Sequence, residues 1–278
     1  MHKDKAYDSW LEAVRNNRSC GLATVLHGED AESFEPARVF LDEDGGLVST
    51  IDDQTLAGAV HTRLKEKLVE DNAKGEIVKI ALEDGGVVSI FVDIHHPPVQ
   101  VMIFGAGHDA VPVAKYSISL GFDTTVVDAR ETFNNEKRFP SSERIIAQPK
   151  FYGEHINITK NTFVVIMNHH MEKDKESLVF ALQSEAPYVG VLGPRSRREK
   201  MMDQLHEEGV SFSEFELSRM HNPIGLDIGA ESSEEIAISI LSEIIALSKG
   251  HRGGFLHDKN SIHKYPTRYE MPAGSVNG

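Results

Sequence analysis

The chain has 278 residues, with 29 Lys plus Arg against 43 Asp plus Glu, and a formal net charge of −14. That length allows two domains with a core each, and so acidic a balance argues against sequence-independent binding to DNA or RNA, which needs a basic surface to displace counterions. One cysteine, Cys20, excludes an intramolecular disulfide; there is no CxxC pair for a structural zinc site, no apolar leader in MHKDKAYDSWLEAV and no window near the ~18 apolar residues of a membrane span, so the expectation is a cytoplasmic protein with no metal and no membrane segment.

Residues 7–17, YDSWLEAVRNN, set Trp10, Leu11 and Val14 on one helical face, and the CGLATVL that follows is a predicted strand with Cys20 as a packed thiol. ARVFLDEDGGLVST and EIVKIALEDGGVVSIFVDI each hold two β-like runs around an acidic glycine turn, the second at Glu83 to Gly86, and both are predicted hairpins. QTLAGAVHTRLKEKLVE between them is a predicted helix. Turns this short permit only antiparallel pairing, so residues 1–94 are expected to form a small α+β domain. His95-His96-Pro97-Pro98 is then a connector over 95–98, since a proline pair favours extended chain.

From Val99 apolar strands alternate with helical segments: VQVMIFG, DAVPVAKYSISLG, DTTVVDA, a loop, TFVVIMN, DKESLVFALQSE, YVGVLG and REKMMDQLHEEG. Ser232-Ser233-Glu234-Glu235 forms a capping box that opens the apolar helix IAISILSEIIALS. The expected fold class is α/β, a Rossmann-like parallel sheet domain over 99–249 preceded by the small α+β domain with antiparallel strands. Residues 250–278 form a polar tail.

Gly105-Ala106-Gly107-His108-Asp109-Ala110 fills the pattern G-x-G-x-x-[G/A] between a strand and a helix. Gly105 permits the tight turn, Gly107 lets a phosphate approach the backbone, and Ala110 keeps the helix close to the sheet. Asp128 ends the next strand, where its carboxylate would accept hydrogen bonds from a ribose diol, whereas Arg130 beside it suits a 2′-phosphate. The turn itself does not choose among phosphates, and glycines that serve packing alone remain the alternative. Three further segments arrive at the same strand ends. Asn168-His169-His170 offers imidazoles, of which one faces the crevice if the strand continues. Gly193 with Arg195, Arg197 and Arg198 makes either an anion clamp or a solvated first turn. Gly225 and Asp227 lie in a shaped loop before the capped helix.

These segments, GAGHDAVPVA, VVDARETFNNEKRFP, NHHMEKDKESL, YVGVLGPRSRREK and HNPIGLDIGAESSEEIAISILSEI, resemble in order and spacing the xanthine dehydrogenase accessory family, also called the XdhC/CoxI family. The resemblance spans most of residues 1–250 and is stronger in the second domain. It implies a non-catalytic maturation factor that binds the molybdenum cofactor, or molybdopterin, supports its sulfuration with a cysteine desulfurase, and delivers it to the apo-enzyme of a xanthine dehydrogenase-like molybdenum hydroxylase. It also implies a homodimer. On this reading Gly105, Gly107 and His108 hold the cofactor phosphate, Asp128 a polar edge, and Arg195 adds charge; Arg130, His169, Gly193, Gly225 and Asp227 complete the candidate set. Two departures stand out. The Gly-Gly-Cys motif of many members has no cysteine in the matching GGLVSTIDDQTLAGAV, and the usual His-(Asn/Asp)-His reads His169-His170-Met171. The competing readings are an NAD(P)-dependent oxidoreductase, with Asp128 on the ribose and His169 as proton donor, and a nucleotide-sensing module.

Overall fold

The computed structural model describes residues 4–26, 36–70, 75–82 and 86–258. They fall into two compact units that divide between Pro97 and Pro98.

The first unit comprises α1 (Lys5–Arg15), β1 (Cys20–Leu26), β2 (Arg38–Asp42), β3 (Leu47–Ser49), α2 (Gln54–Leu68), β4 (Glu76–Ala81) and β5 (Val87–His95). Its sheet runs β3-β2-β1-β5-β4 with every pair antiparallel. Alternation along β1 sends Cys20 and Leu22 to the α1 side, with Ala6, Ala13 and Phe40, while Ala23 and Val25 pack on the α2 side with Val60 and Leu64. Cys20 is fully buried, and burial pushes its thiol up to about 12. β5 continues through His95, the first residue of the predicted connector. Of the predicted turn at Glu83 to Gly86, residues 83–85 lie outside the described residues.

The second unit comprises β6 (Gln100–Phe104), α3 (Ala110–Ser119), β7 (Asp123–Val127), β8 (Glu143–Ile145), a 3-10 turn (Pro149–Phe151), α4 (Tyr152–His155), β9 (Thr162–Ile166), α5 (Met171–Leu182), β10 (Tyr188–Val191), α6 (Arg195–Glu207), α7 (Glu214–Ser218), β11 (Met220–His221) and α8 (Ser233–Ser248). All strand pairs are parallel, in the order β11-β10-β9-β6-β7-β8. Numbered within the unit this is 3-2-1-4-5-6 viewed from β8, the order of a dinucleotide-binding sheet, and the chain reverses direction across the sheet between β6 and β9. One core lies under α5 and α6, with Phe104, Tyr152, Ile166, Leu178 and Met201; the other lies under α3 and α8, with Ile103, Val113, Val165, Tyr188 and Ile240. β8 and β11 are absent from the sequence expectation, which has a loop over the first: strands of three and two residues are too short for periodicity to register. α6 opens at Arg195, ahead of its expected start at Arg198. The Ser232 capping box is formed. The predicted tail is described only as far as Asp258, and no helix of the described residues is long and apolar enough to cross a membrane.

The β11 end of the sheet is tied to α8 by Glu243. Its carboxylate accepts the Tyr188 hydroxyl at 2.6 Å and the Gly225 N–H at 2.7 Å, and pairs with His221 Nδ1 at 2.9 Å. Burial alone would raise this carboxyl, but the bonds from His221, Tyr188 and Gly225 outweigh it and hold it below its ordinary value of 4.5. A depressed folded-state value means that the stabilisation is complete above the unfolded carboxyl's value and is lost as pH falls through the folded one. The second unit is therefore expected to weaken as pH drops below 4.5, and Glu243→Gln to reduce that acid sensitivity while costing about 2 kcal/mol at neutral pH. Urea unfolding at pH 7 and pH 4 checks this; a variant with wild-type stability at both would contradict it.

Candidate functional site

Five segments leave the carboxyl edge of the parallel sheet: 105–109 after β6, 128–130 after β7, 168–170 after β9, 193–194 after β10 and 222–229 after β11. In a sheet of this order ligands bind at that edge, beside the reversal between β6 and β9.

The two turn glycines have different tasks. Gly105 has φ of +112°, and a Cβ there would sit 2.6 Å from the Met167 carbonyl oxygen and 2.8 Å from Asn168 Cα, so the chains leaving β6 and β9 approach too closely for any side chain. Gly107 has no such constraint: a Cβ would meet only the His169 ring, with Cδ2 at 3.4 Å and Nε2 at 3.8 Å. The fold therefore requires glycine at 105, whereas at 107 a small side chain would only touch the exposed His169 ring. Arg138 bonds the carbonyl side of the turn, its Nη1 reaching Ala106 O at 2.7 Å and its Nη2 reaching Gly107 O at 2.9 Å. Among the described residues no acceptor takes the N–H groups of Gly107, His108 or Asp109, which open the positive end of α3.

Asp128 differs from its expected role as a ribose acceptor. It is 4% exposed, and both oxygens are engaged by the chain's own donors. Oδ2 accepts the Ala106 N–H at 2.8 Å and Arg130 Nη2 at 2.7 Å; Oδ1 accepts the Arg130 N–H at 2.9 Å and its Nε at 3.0 Å. Burial pulls the carboxyl up, but the bonds from Arg130 and Ala106 overcome it and leave it below its usual range. Arg130 is correspondingly committed to Asp128 instead of standing open for a 2′-phosphate.

After β9 the chain has already turned, so alternation along a strand does not assign the histidines. Asn168 donates its N–H and Nδ2 to Asp174 Oδ1 at 3.1 and 3.2 Å, and Arg197 Nη2 binds Asp174 Oδ2 at 2.6 Å. His169 takes a left-handed φ of +56° and places Nε2 3.3 Å from Asp109 Oδ2, while Asp109 Oδ1 accepts the Ser233 hydroxyl at 2.5 Å. Asp109, a variable position of the glycine pattern with nothing in the sequence to mark it, thus links the starts of α3 and α8 to the loop after β9. His108 and His170 are exposed. The described residues hold no group of three or more His, Cys, Asp or Glu suited to a metal ion.

The arginine cluster divides. Arg197 is drawn to buried Asp174 and crosses Gly193, which has φ of +124°. Arg195 is exposed in the first turn of α6, a turn with no acidic residue, where its charge adds to the helix dipole. Asn222 Nδ2 pins the next loop to the carbonyls of Val191 and Gly193, both at 2.9 Å. Gly225, φ +96°, packs against Ser239 of α8, and Asp227 is exposed. The structure therefore connects Gly105, Gly107, Asp128, Arg130 and His169 through direct contacts around the turn, with His108 at its rim. Gly193 joins them through Arg197, Asp174 and Asn168, whereas Gly225 belongs to the Glu243 cluster.

The family model for the XdhC Rossmann domain matches residues 101–244. The uncharacterized protein YqeB of Escherichia coli (strain K12) is 27% identical over 245 residues, 84% of this chain and 44% of that protein. A probable xanthine dehydrogenase subunit of Bacillus subtilis (strain 168) is 30% identical over 58% of this chain and 46% of its own length. The molybdenum cofactor insertion chaperone PaoD of Escherichia coli (strain K12) is 24% identical over 54% of this chain and 41% of its own length. The chain thus spans less than half the length of these relatives. A solved structure of a xanthine dehydrogenase from Bacillus halodurans shares the fold, with a TM-score of 0.52 at 22% identity, covering 88% of this chain and 96% of that one.

The contrast between the glycines is testable. Gly105→Ala is expected to cost about 2 kcal/mol or more through its clash and positive φ, and Gly107→Ala less than about 0.5 kcal/mol. Urea unfolding of the two variants checks this, and equal losses would contradict it.

Proposed function

The chain belongs to the XdhC family, and on that premise we propose that it is an accessory protein that binds the molybdenum cofactor and serves its insertion into a xanthine dehydrogenase-type molybdenum hydroxylase. The names of the Bacillus subtilis relative and of the insertion chaperone PaoD support that role. The observation that carries it is the glycine turn, whose N–H groups at Gly107, His108 and Asp109 find no acceptor among the described residues. A phosphate monoester, as on molybdopterin, suits that donor set and the dipole of α3.

Gly107 and His108 would hold the phosphate and His169 would stand at its edge, oriented by Asp109. Arg195 would add positive charge at the neighbouring helix start. The chain supplies no thiolate for the metal: its one cysteine is buried in β1 with its thiol pushed up to about 12. When bound, the cofactor would supply the molybdenum centre that the target enzyme uses; this chain's residues bind, orient and release it. Support of sulfuration with a cysteine desulfurase, a homodimeric state and a cytoplasmic location belong to the same proposal.

The strand order favours a second reading, an NAD(P)-dependent oxidoreductase. It ranks lower because the acidic residue that would receive the ribose hydroxyls is filled by Ala106 and Arg130.

Gel filtration after anaerobic mixing with molybdenum cofactor separates the two. The proposal expects co-elution of molybdenum and pterin, stimulation of apo-enzyme activation in stoichiometric proportion, and about tenfold or greater weakening in Gly107→Val, the scale of one lost phosphate contact set. Retention of a nicotinamide nucleotide with no pterin would overturn it in favour of the oxidoreductase.

A further inference from the structure

Beside the glycine turn, the residues after β7 hold a guanidinium over an aromatic ring. Arg130 is fixed by three bonds to Asp128, from its N–H, its Nε and its Nη2, at 2.9, 3.0 and 2.7 Å. Asp128 is buried and also takes the Ala106 N–H on the same oxygen that receives Nη2, so the guanidinium plane and the turn share one acceptor atom. The plane rests on the ring of Phe133, with Cζ 4.3 Å from the centroid. Phe133 is held in turn by Arg138, whose Cζ lies 5.2 Å from the same centroid and whose amino groups bond the carbonyls of Phe133, Ala106 and Gly107 at 2.9, 2.7 and 2.9 Å. Even so, the Arg130 side chain is 43% exposed and Phe133 is 42% exposed.

Core packing does not account for this arrangement. An aromatic ring left in water contributes little to folding, so the pairing with buried Asp128 explains why Arg130 is held but not why half-exposed Phe133 lies against it. A guanidinium held over an aromatic ring and fixed by a buried carboxylate instead offers a stacking surface for a planar heterocycle, at no further rotamer cost when the ligand arrives.

We infer that Arg130, backed by Phe133, is a stacking platform for the ring of a ligand whose phosphate lies on the glycine turn. The ligand class is a planar nitrogen heterocycle carrying a phosphate ester. This rests on the reading of the turn as a phosphate cradle, and it goes further by assigning the ring site. Two sources share the chemistry, a pterin monophosphate and a nucleoside monophosphate.

Titration calorimetry of the full chain with neopterin monophosphate, adenosine monophosphate and ribose 5-phosphate tests the platform. At least one ring-bearing probe is expected to bind about tenfold or more tightly than ribose 5-phosphate, the scale of a single stack. Arg130→Lys keeps the charge and loses the plane; it should abolish that advantage while leaving ribose 5-phosphate within about twofold of wild type. Phe133→Ala, at an exposed position that folding does not need, should act in the same direction and serves if Arg130→Lys does not fold. A preference for the pterin assigns the platform to a pterin ring, and the reverse preference to a nucleobase. Equal binding of ringed and ringless phosphates would overturn the platform and leave the cradle standing. A ring advantage that survives both variants would also overturn it, and binding of none of the probes would remove platform and cradle together. An intact ring advantage in a protein that fails to stimulate the apo-enzyme would remove the maturation role and keep the platform.

Discussion

The carboxylate of Asp128, 4% exposed at the end of β7, holds the glycine turn and the loop after β7 to one point. Its four bonds draw in the Ala106 N–H on one side and the whole of Arg130 on the other. With Arg138 bonding the turn's carbonyls, the N–H groups of Gly107, His108 and Asp109 are left without an acceptor among the described residues. Burying a charge in this way costs several kcal/mol of desolvation unless the charge is fully bonded, and here the bonds hold the carboxyl below its usual range. The residue that the glycine pattern assigns to a ligand is spent on shaping the site.

The same device recurs along the sheet edge. Asp174, 1% exposed, gathers Asn168 and Arg197 and so fixes the loops after β9 and β10. Glu243 gathers Tyr188, His221 and the Gly225 N–H and fixes the loop after β11. Each carboxylate binds at least one backbone N–H together with a basic side chain, which sets a loop's conformation more firmly than apolar contact alone. The chain is acidic overall, yet these three acids face inward, and the groups left around the turn are its unpaired N–H donors, His108, and His169 paired with Asp109. That local polarity would offset the net charge of −14 for the phosphate of the proposed ligand.

The strand-helix alternation, the antiparallel first unit and the position of the glycine turn were legible because each depends on local periodicity or on turns made of Gly and Asp. β8 and β11 were not, since two or three residues carry no period and their pairing is decided by the neighbouring strand. The intramolecular partners of Asp128 and Arg197 are not legible in the sequence for a different reason. Sequence spacing brings a side chain to the right edge of the sheet, but whether it meets a ligand or another part of the chain depends on long-range partners such as Ala106 and Asp174. Asp109 and Arg138 lie within family-like segments, but nothing in the sequence marks their contacts: one occupies a free position in the pattern and the other lies thirty-one residues from the Gly107 carbonyl it binds.

The central claim is that the unpaired N–H groups of the glycine turn bind the phosphate of a pterin cofactor. A crystal structure of the chain with molybdopterin bound tests it most directly. The account predicts the phosphate within hydrogen-bond distance of the Gly107 and His108 N–H groups, with Asp128 still closed on Arg130. A phosphate seated instead on the first turn of α6, or Asp128 opened to a ribose of a bound nicotinamide nucleotide, would contradict it.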